Sequence, residues 1–293
     1  MTGFPTTPDG APGRTATSPR RRGMLLGLAG ACHPVPGLAV TAVAVLLAAG
    51  TGLGVGEVVL LGAAVLTGQL SIGWSNDWID AARDRAVGRT DKPVAAGTVP
   101  VVVIAVAAST ALAATIVLSA LLGLFAAAAL LIGVAAGWAY NLGLKSTIWS
   151  GATYLLAFGA LPIAPYAALP GQPWPPWWIP VAGALLGLGA HFANVLPDLR
   201  TDAETGVRGL PHRLGATAGV IVMAAALAAA SVILGVAPAT TSSTFALTVS
   251  AAGIALAAAT ALSAVRAPRS PVAFRLTIVI AILDVVLLIT TTT

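Results

Sequence analysis

The segment Asn76–Asp84, with the sequence NDWIDAARD, closes a long apolar run. If one helix continues through it at about 100° per residue, Asn76, Asp80 and Asp84 form a narrow stripe with Asp77 at its edge. Carboxylates this close repel one another unless a cation lies between them. Clustered oxygen ligands suit a hard divalent ion such as Mg²⁺, which binds one or two carboxylates together with phosphate oxygens. The segment therefore predicts a site for a divalent cation and a phosphate group at a helix end.

The same spacing occurs a second time, in Asn194-x₃-Asp198-x₃-Asp202, which also closes a long apolar run. A single patch of this kind is compatible with a solvated helix end. Two patches with identical spacing, in a chain with only 10 acidic residues, favour a functional pair. Two acidic clusters that face each other at a membrane surface would form a dimetal clamp for a diphosphate.

The composition indicates a membrane protein. Of the 293 residues 57% are hydrophobic and only 9% are charged, whereas roughly a quarter of the residues in a soluble domain are charged. The net charge of +5 is compatible with nucleic-acid binding, but the positions of the basic residues argue against it, as the next paragraph shows. The single cysteine, Cys32, excludes an internal disulfide.

Apolar runs of about 20 residues recur along the chain and predict an all-α, polytopic fold. Nine spans are predicted, at roughly 30–50, 57–76, 98–119, 121–140, 149–169, 178–197, 215–238, 244–265 and 272–291. Residues 1–24 are predicted to be a disordered tail, followed by a transmembrane domain over 25–293. With that tail in the cytoplasm, all 15 basic residues fall on the cytoplasmic side, as the positive-inside rule requires. We therefore expect a multi-pass protein of the cell membrane whose N-terminus and acidic segments face the cytoplasm.

Two further features stand apart from the acidic segments. The uncharged segment 170–178 contains three Trp and four Pro and is predicted to lie at the outer membrane interface. Asp284 lies inside the last predicted span, where a buried acid is a functional candidate by default. No basic residue is predicted near it, so a protonated side chain without a functional role is the alternative.

The two acidic segments resemble a known pair of motifs. Residues 76–84 match the first aspartate-rich motif of UbiA-type intramembrane prenyltransferases, and residues 198–211, DLRTDAETGVRGLP, resemble the second. The resemblance runs from about residue 25 to the C-terminus and includes the nine-helix layout. It implies a bundle around a central cavity that opens to the cytoplasmic side, a prenyl diphosphate donor, and Mg²⁺ ions that bridge both motifs.

The resemblance also implies roles for single residues. One Mg²⁺ would be held by Asn76, Asp80 and Asp84, and the other by Asp198 and Asp202, with Asn194 as a further ligand. The implied catalytic acids are Asp77, Asp80, Asp84, Asp198 and Asp202.

For the diphosphate, the resemblance implies contacts from Tyr140, Lys145 and Arg208. Members of the family have Tyr-x₃-Lys after the fourth span, whereas Tyr140 and Lys145 are separated by four residues. Many members begin the first helix with Arg-Pro, and this chain has His33-Pro34 instead. His33 is therefore either a basic contact or a cap of that helix.

The implied activity is Mg²⁺-dependent transfer of an isoprenoid chain from a prenyl diphosphate to an aromatic or other lipophilic acceptor within the membrane lipid. A terpene cyclase of the same fold, which needs no acceptor, is the first alternative. An ion transporter is the second, although transporters usually place their ion sites near the bilayer midplane. His191, one turn before the second motif, is either a contact to the acceptor or a structural histidine. Aromatic side chains that could face an allylic cation are Trp74, Trp138, Tyr140, Tyr154, Phe158 and Phe192.

Overall fold

The computed structural model of the chain describes residues 19–238 and 243–292, and this part of the chain is helical throughout, without strands. The helices are α1 (Pro19–Ala31), α2 (Pro34–Gly50), α3 (Val55–Ala86), α4 (Val101–Ala120), α5 (Leu124–Leu142), α6 (Ser150–Ala160), α7 (Ile163–Ala168), α8 (Trp178–Val195), α9 (Leu199–Glu204), α10 (Leu210–Val236), α11 (Ser243–Arg266) and α12 (Val272–Thr292). Helix α1 begins within the segment predicted as a disordered tail, and the first 18 residues of that segment lie outside the described residues.

The helices have the length and apolar character of membrane spans. Among the described residues seven helical segments meet this description, or eight if the bent pair α1 and α2 counts as one span. Helix α12 covers the segment predicted as the ninth span. The fold is thus an all-helical, multi-pass membrane fold, and the count of nine spans stays a prediction.

Proline residues break two of the predicted spans and lie at the end of a third. The first predicted span is divided at Pro34, where α1 and α2 meet at 58°. The fifth is divided at Pro162 into α6 and α7, and the sixth ends near Pro197, where a single 3₁₀ turn separates α8 from α9. Proline has no amide hydrogen to donate and its ring clashes with the preceding turn, so a continuous helix ends at these positions.

Helix α3 continues ten residues beyond the predicted end of the second span and carries the whole first motif. One helix therefore continues through the motif, as the predicted stripe requires. The Asn76 side-chain amide donates to Asp80 Oδ2, one turn further along, at 3.3 Å. The second motif differs, because its three residues are divided between α8, the 3₁₀ turn and α9.

Glycine residues bring α6 and α8 into direct contact. A Cβ atom at Gly183 would lie 2.5 Å from the Phe158 carbonyl oxygen, and one at Gly187 would lie 2.7 Å from that of Tyr154. Glycines four residues apart on one helix face are a common means of close packing between membrane helices. Here they hold one side of the bundle together by backbone contact.

The membrane orientation can be tested with single cysteines in a Cys32→Ser background. Gln172 and Ala86 are both exposed, and they lie at opposite ends of the predicted topology. We expect Gln172→Cys in intact cells to react with a membrane-impermeant maleimide, and Ala86→Cys to react only after the membrane is opened. The reverse labelling pattern would contradict the predicted orientation.

Candidate active site

A cavity of about 720 Å³ lies inside the bundle and is lined by both acidic motifs. Asn76, Asp77 and Asp80 of the first motif line it, as do Asn194, Asp198 and Asp202 of the second. On α3 the lining runs from Ala64 to Arg83, about 28 Å along the helix axis. The cavity is therefore polar where the two motifs meet, and apolar over most of its remaining length.

Ammonium groups neutralise the first motif. Lys145 Nζ lies 2.5 Å from Asp80 Oδ1 and 2.6 Å from Asp80 Oδ2, and both side chains are buried. Lys92 Nζ lies 3.2 Å from Asp77 Oδ1 and 2.9 Å from Asp84 Oδ2. Only 13% of the Lys92 side chain is exposed, so its ammonium group mainly contacts these two carboxylates. Each buried carboxylate of this motif thus has a cationic partner.

The pKa values of the two lysines shift in opposite directions. Burial lowers the pKa of Lys145 below its usual value, although the neighbouring Asp80 carboxylate favours the charged form. Burial also disfavours the charged form of Lys92, but Asp77 and Asp84 together outweigh it and raise the pKa of Lys92. Lys92 is therefore held as a cation between two carboxylates.

The second motif is more open and carries fewer counter-charges. Asn194 and Asp198 are exposed, and Asp202 is partly buried. Within the described residues no Lys or Arg forms an ion pair with Asp198 or Asp202, and the only such partner is His212, whose Nε2 lies 3.8 Å from Asp202 Oδ2. The two sides of the site therefore differ: one is neutralised by lysines and the other is anionic.

Two residues named from the sequence lie away from the cavity wall. Asp84 is buried on α3 beside Lys92 and Arg83 and does not line the cavity. Arg208 is exposed, and its carbonyl oxygen accepts a hydrogen bond from Arg213 Nε.

Tyr140 and Lys145 both line the cavity despite their unusual spacing. Between them Gly143 ends α5 with φ of 152°.

His33 lies at the start of α2 and lines the cavity. Its side chain makes no capping hydrogen bond, and its Nε2 lies 3.5 Å from Asp77 Oδ1. His33 thus occupies the N-cap position of α2, while its side chain is directed to Asp77 and supports the interpretation as a polar contact.

Three of the six aromatic candidates line the cavity: Tyr140, Tyr154 and Phe158. The other three are structural. Trp74 Nε1 donates to the Leu28 carbonyl oxygen, Trp138 Nε1 donates to Ser71 Oγ, and Phe192 is fully buried in the core.

His191 is also structural. It is 1% exposed and does not line the cavity, and its Nε2 lies 3.1 Å from Ser150 Oγ. Ser150 Oγ in turn accepts a hydrogen bond from the Leu210 amide. This junction fixes the start of α10, directly after the second motif, against the turn that carries Lys145.

Several polar residues of the site were not singled out from the sequence. Lys92 and Arg89 lie on the loop after α3, which folds back over the motif, and Arg89 pairs with Asp91 at 2.8 and 2.9 Å. Arg83 Nη2 lies 2.8 Å from Asp80 Oδ2. Asn141 accepts from the Asn76 amide and donates to Ser75 Oγ. The clustering of basic residues within 83–92 was the available signal for the first three.

The donor atoms at this site suit magnesium. Both motifs offer carboxylate and amide oxygens and no sulfur, the ligand set that hard divalent cations prefer. Asp198 and Asp202 line the cavity without an ammonium partner among the described residues, so this wall carries uncompensated negative charge. Among the described residues no three His, Cys, Asp or Glu side chains converge on one point, and the carboxylates of the first motif contact Lys92 and Lys145.

The sequence of the chain matches the UbiA prenyltransferase family over residues 37–283. The chain belongs to this family. The match covers most of the membrane helices and both acidic motifs. The resemblance inferred from the two motifs is thereby confirmed.

Individual relatives agree with this assignment. The chain is 33% identical over 179 residues to the bacteriochlorophyll synthase 33 kDa chain of Rhodobacter capsulatus, an alignment that spans 54% of this chain and 56% of that relative. A UbiA homologue from Archaeoglobus fulgidus, solved with GPP and Mg²⁺, superposes with a TM-score of 0.72 at 15% identity and covers 91% of this chain and 99% of that one. The apo structure of a UbiA homologue from Aeropyrum pernix K1 gives 0.70 at 19% identity, with 87% and 97% coverage. At these identities the two structures support the fold alone.

Proposed function

We propose that the protein transfers an isoprenoid chain from a prenyl diphosphate to an aromatic or other lipophilic acceptor in a Mg²⁺-dependent reaction. The observation that carries this proposal is the single cavity with two unlike parts. One part has two acidic motifs and a set of buried cations, and the other is a long apolar chamber. A diphosphate with a hydrocarbon tail has the same two parts. Membership of the family and the GPP and Mg²⁺ bound by the Archaeoglobus fulgidus homologue also support it.

In this proposal Asn76, Asp80, Asn194, Asp198 and Asp202 would hold Mg²⁺, which would supply positive charge to neutralise the diphosphate as it departs. Asp84 would act indirectly, by positioning the Lys92 ammonium group, because it pairs with Lys92 and does not line the cavity. Lys145 and Lys92 provide fixed positive charge where negative charge develops on the leaving group. Tyr140 adds a phenol group to the same wall.

The apolar part of the cavity excludes water from the allylic cation that remains. Tyr154 and Phe158 form a stacked pair on α6 with ring centroids 6.1 Å apart, and both line the cavity. Aromatic faces stabilise a cation, and the aliphatic side chains that form most of this part of the wall carry no nucleophilic atoms. An acceptor bound beside the cation would then react with it in preference to water.

A terpene cyclase is the second candidate, because the same acidic motifs would ionise a donor in either enzyme. The walls favour transfer. Beyond Tyr140, Tyr154 and Phe158, Phe274 is the only other Phe, Tyr or Trp among the described residues that line the cavity. A wall with so few aromatic rings gives little control over the folding of a long cation.

An assay without acceptor separates the two activities. Purified protein with Mg²⁺ and geranyl, farnesyl or geranylgeranyl diphosphate is expected to release diphosphate slowly and to give little cyclic product. Addition of a membrane lipid extract should increase release and yield a prenylated lipid, identified by mass spectrometry. Rapid multiple turnover to one cyclic hydrocarbon without acceptor would instead establish the cyclase.

We further propose that the protein lies in the cell membrane with its polar cavity end toward the cytoplasm. This orientation follows from the one-sided distribution of its basic residues. The water-soluble donor and Mg²⁺ would then enter from the cytoplasm, and a lipophilic acceptor would come from the bilayer.

A further inference from the structure

An acidic side chain lines the apolar part of the cavity, far from both motifs. Asp284 on α12 is 3% exposed and lines the cavity next to apolar residues such as Leu234, Ala281 and Val285. Its partner is Ser231 on α10, whose Oγ lies 3.0 and 3.1 Å from the two carboxyl oxygens. No Lys, Arg or His among the described residues forms an ion pair with it. Placing an acidic side chain in a membrane helix costs free energy, and such residues usually have a functional role.

The packing of α10 gives the distance between this acid and the motifs. Gly219 packs against Leu196, which lies two residues before Asp198 of the second motif. Ser231 lies 12 residues further along α10, about 18 Å along the helix axis. Asp284 is therefore deep in the chamber, beyond the region that a diphosphate occupies at the motifs.

The hydrogen atoms available at this pair are too few for its acceptors. The Ser231 hydroxyl has one hydrogen, and three oxygens lie within its reach: both carboxyl oxygens of Asp284, and the Leu227 carbonyl at 3.4 Å. Whether Asp284 is ionised or protonated, at least one of its carboxyl oxygens keeps an unused acceptor position. Since Asp284 lines the cavity, a ligand in the chamber can donate a further hydrogen bond to this position.

We infer that Asp284, held by Ser231, is a binding site for a hydroxyl or amino group of the acceptor. The inference rests on the proposed transferase function. The prenyl tail is a hydrocarbon and has no hydrogen to donate, so only the acceptor can use this position. Asp284 thus selects acceptors that carry a hydrogen-bond donor on the part that points away from the diphosphate.

Paired probes that differ only in this donor test the inference. 4-Nonylphenol carries a hydroxyl group, and its methyl ether 4-nonylanisole does not. Calorimetric titration of the purified protein, without Mg²⁺ or prenyl diphosphate, is expected to show about tenfold tighter binding of the phenol. Asp284→Leu should reduce this ratio to about one while the ether still binds, and Asp284→Asn should keep part of the preference because an amide oxygen still accepts.

Two other variants separate recognition from structure. Ser231→Ala removes the group that holds Asp284 and is expected to reduce the phenol preference severalfold. Thr260→Val removes a buried hydroxyl on α11 that bonds to its own helix and does not line the cavity, and the preference should stay unchanged. If Asp284→Leu lowered the melting temperature but kept the preference, the Asp284–Ser231 contact would be structural and the inference wrong.

The inference is equally wrong if the wild-type protein does not distinguish the two probes or binds neither. This assay contains no donor and no metal, so its result is independent of turnover. An inactive protein that still prefers the phenol in an Asp284-dependent manner would contradict the proposed function and leave this binding site in place.

Discussion

Asp80→Asn and Asp198→Asn are each expected to lower the rate of prenyl transfer by about 10²-fold or more, the usual effect of losing one electrostatic group that stabilises developing charge. The two carboxylates belong to different motifs and line the same cavity. An amide keeps the shape of each side chain and removes its charge, so the variants test charge alone. Initial rates at saturating Mg²⁺, with a radiolabelled prenyl diphosphate and a membrane lipid extract, measure the effect.

The two variants should differ in stability. Asp80 pairs with the buried Lys145, so Asp80→Asn leaves a buried ammonium without its carboxylate and is expected to lower the unfolding free energy by about 3 kcal/mol. Asp198 is exposed and has no such partner, so Asp198→Asn should unfold like the wild type. Glu204→Gln is the matched control, because Glu204 is exposed on α9 and lies off the cavity. Near-normal turnover in both variants would refute the proposed function.

Lys145→Met is expected to lower turnover by about 10²-fold and, in the opposite direction, to tighten Mg²⁺ binding to the protein without substrate. The loss of turnover follows from removing a fixed positive charge beside the leaving diphosphate. The gain in Mg²⁺ affinity follows because the Lys145 ammonium and a metal ion compete for the same Asp80 oxygens. Initial rates and calorimetric Mg²⁺ titration measure the two effects separately.

Arg200→Met is the control for a general loss of positive charge near the site, because 77% of the Arg200 side chain is exposed and it does not line the cavity. It should leave both measurements within a factor of two or three, the scale of a surface charge. If Lys145→Met weakened Mg²⁺ binding and left turnover unchanged, Lys145 would support the metal site and would not contact the diphosphate.

Local sequence patterns were sufficient for much of the fold. Apolar runs of about 20 residues placed the long helices, and the spacing of Asn76, Asp80 and Asp84 was compatible with the continuous helix α3. The breaks were missed at Pro34 and Pro162, because the apolar run continues through each proline while the helix cannot. Hydropathy records which residues avoid water and does not record whether the backbone stays helical.

The site was harder to predict where it depends on contacts between distant parts of the chain. Both acidic motifs could be found from spacing, but the loop that returns Lys92 to Asp77 and Asp84 could not. The partner of Asp284 was missed for the same reason, since Ser231 is 53 residues away on another helix. The sequence also could not show which aromatic side chains face the cavity. Phe158 on α6 lines it and Phe192 on α8 lies in the core, and this depends on how each helix packs.

The glycine contact between α6 and α8 bears on how the shape of the cavity could be changed. Gly183 and Gly187 leave no side chains between the two backbones, so a larger residue at either position would push the helices apart and displace Tyr154 and Phe158. This side of the chamber is consequently unsuited to redesign. Helix α12 contributes side chains such as Ile278 and Ala281 to the cavity wall, and neither position is a glycine whose enlargement would meet a neighbouring backbone. Libraries for new acceptors are therefore best confined to α12.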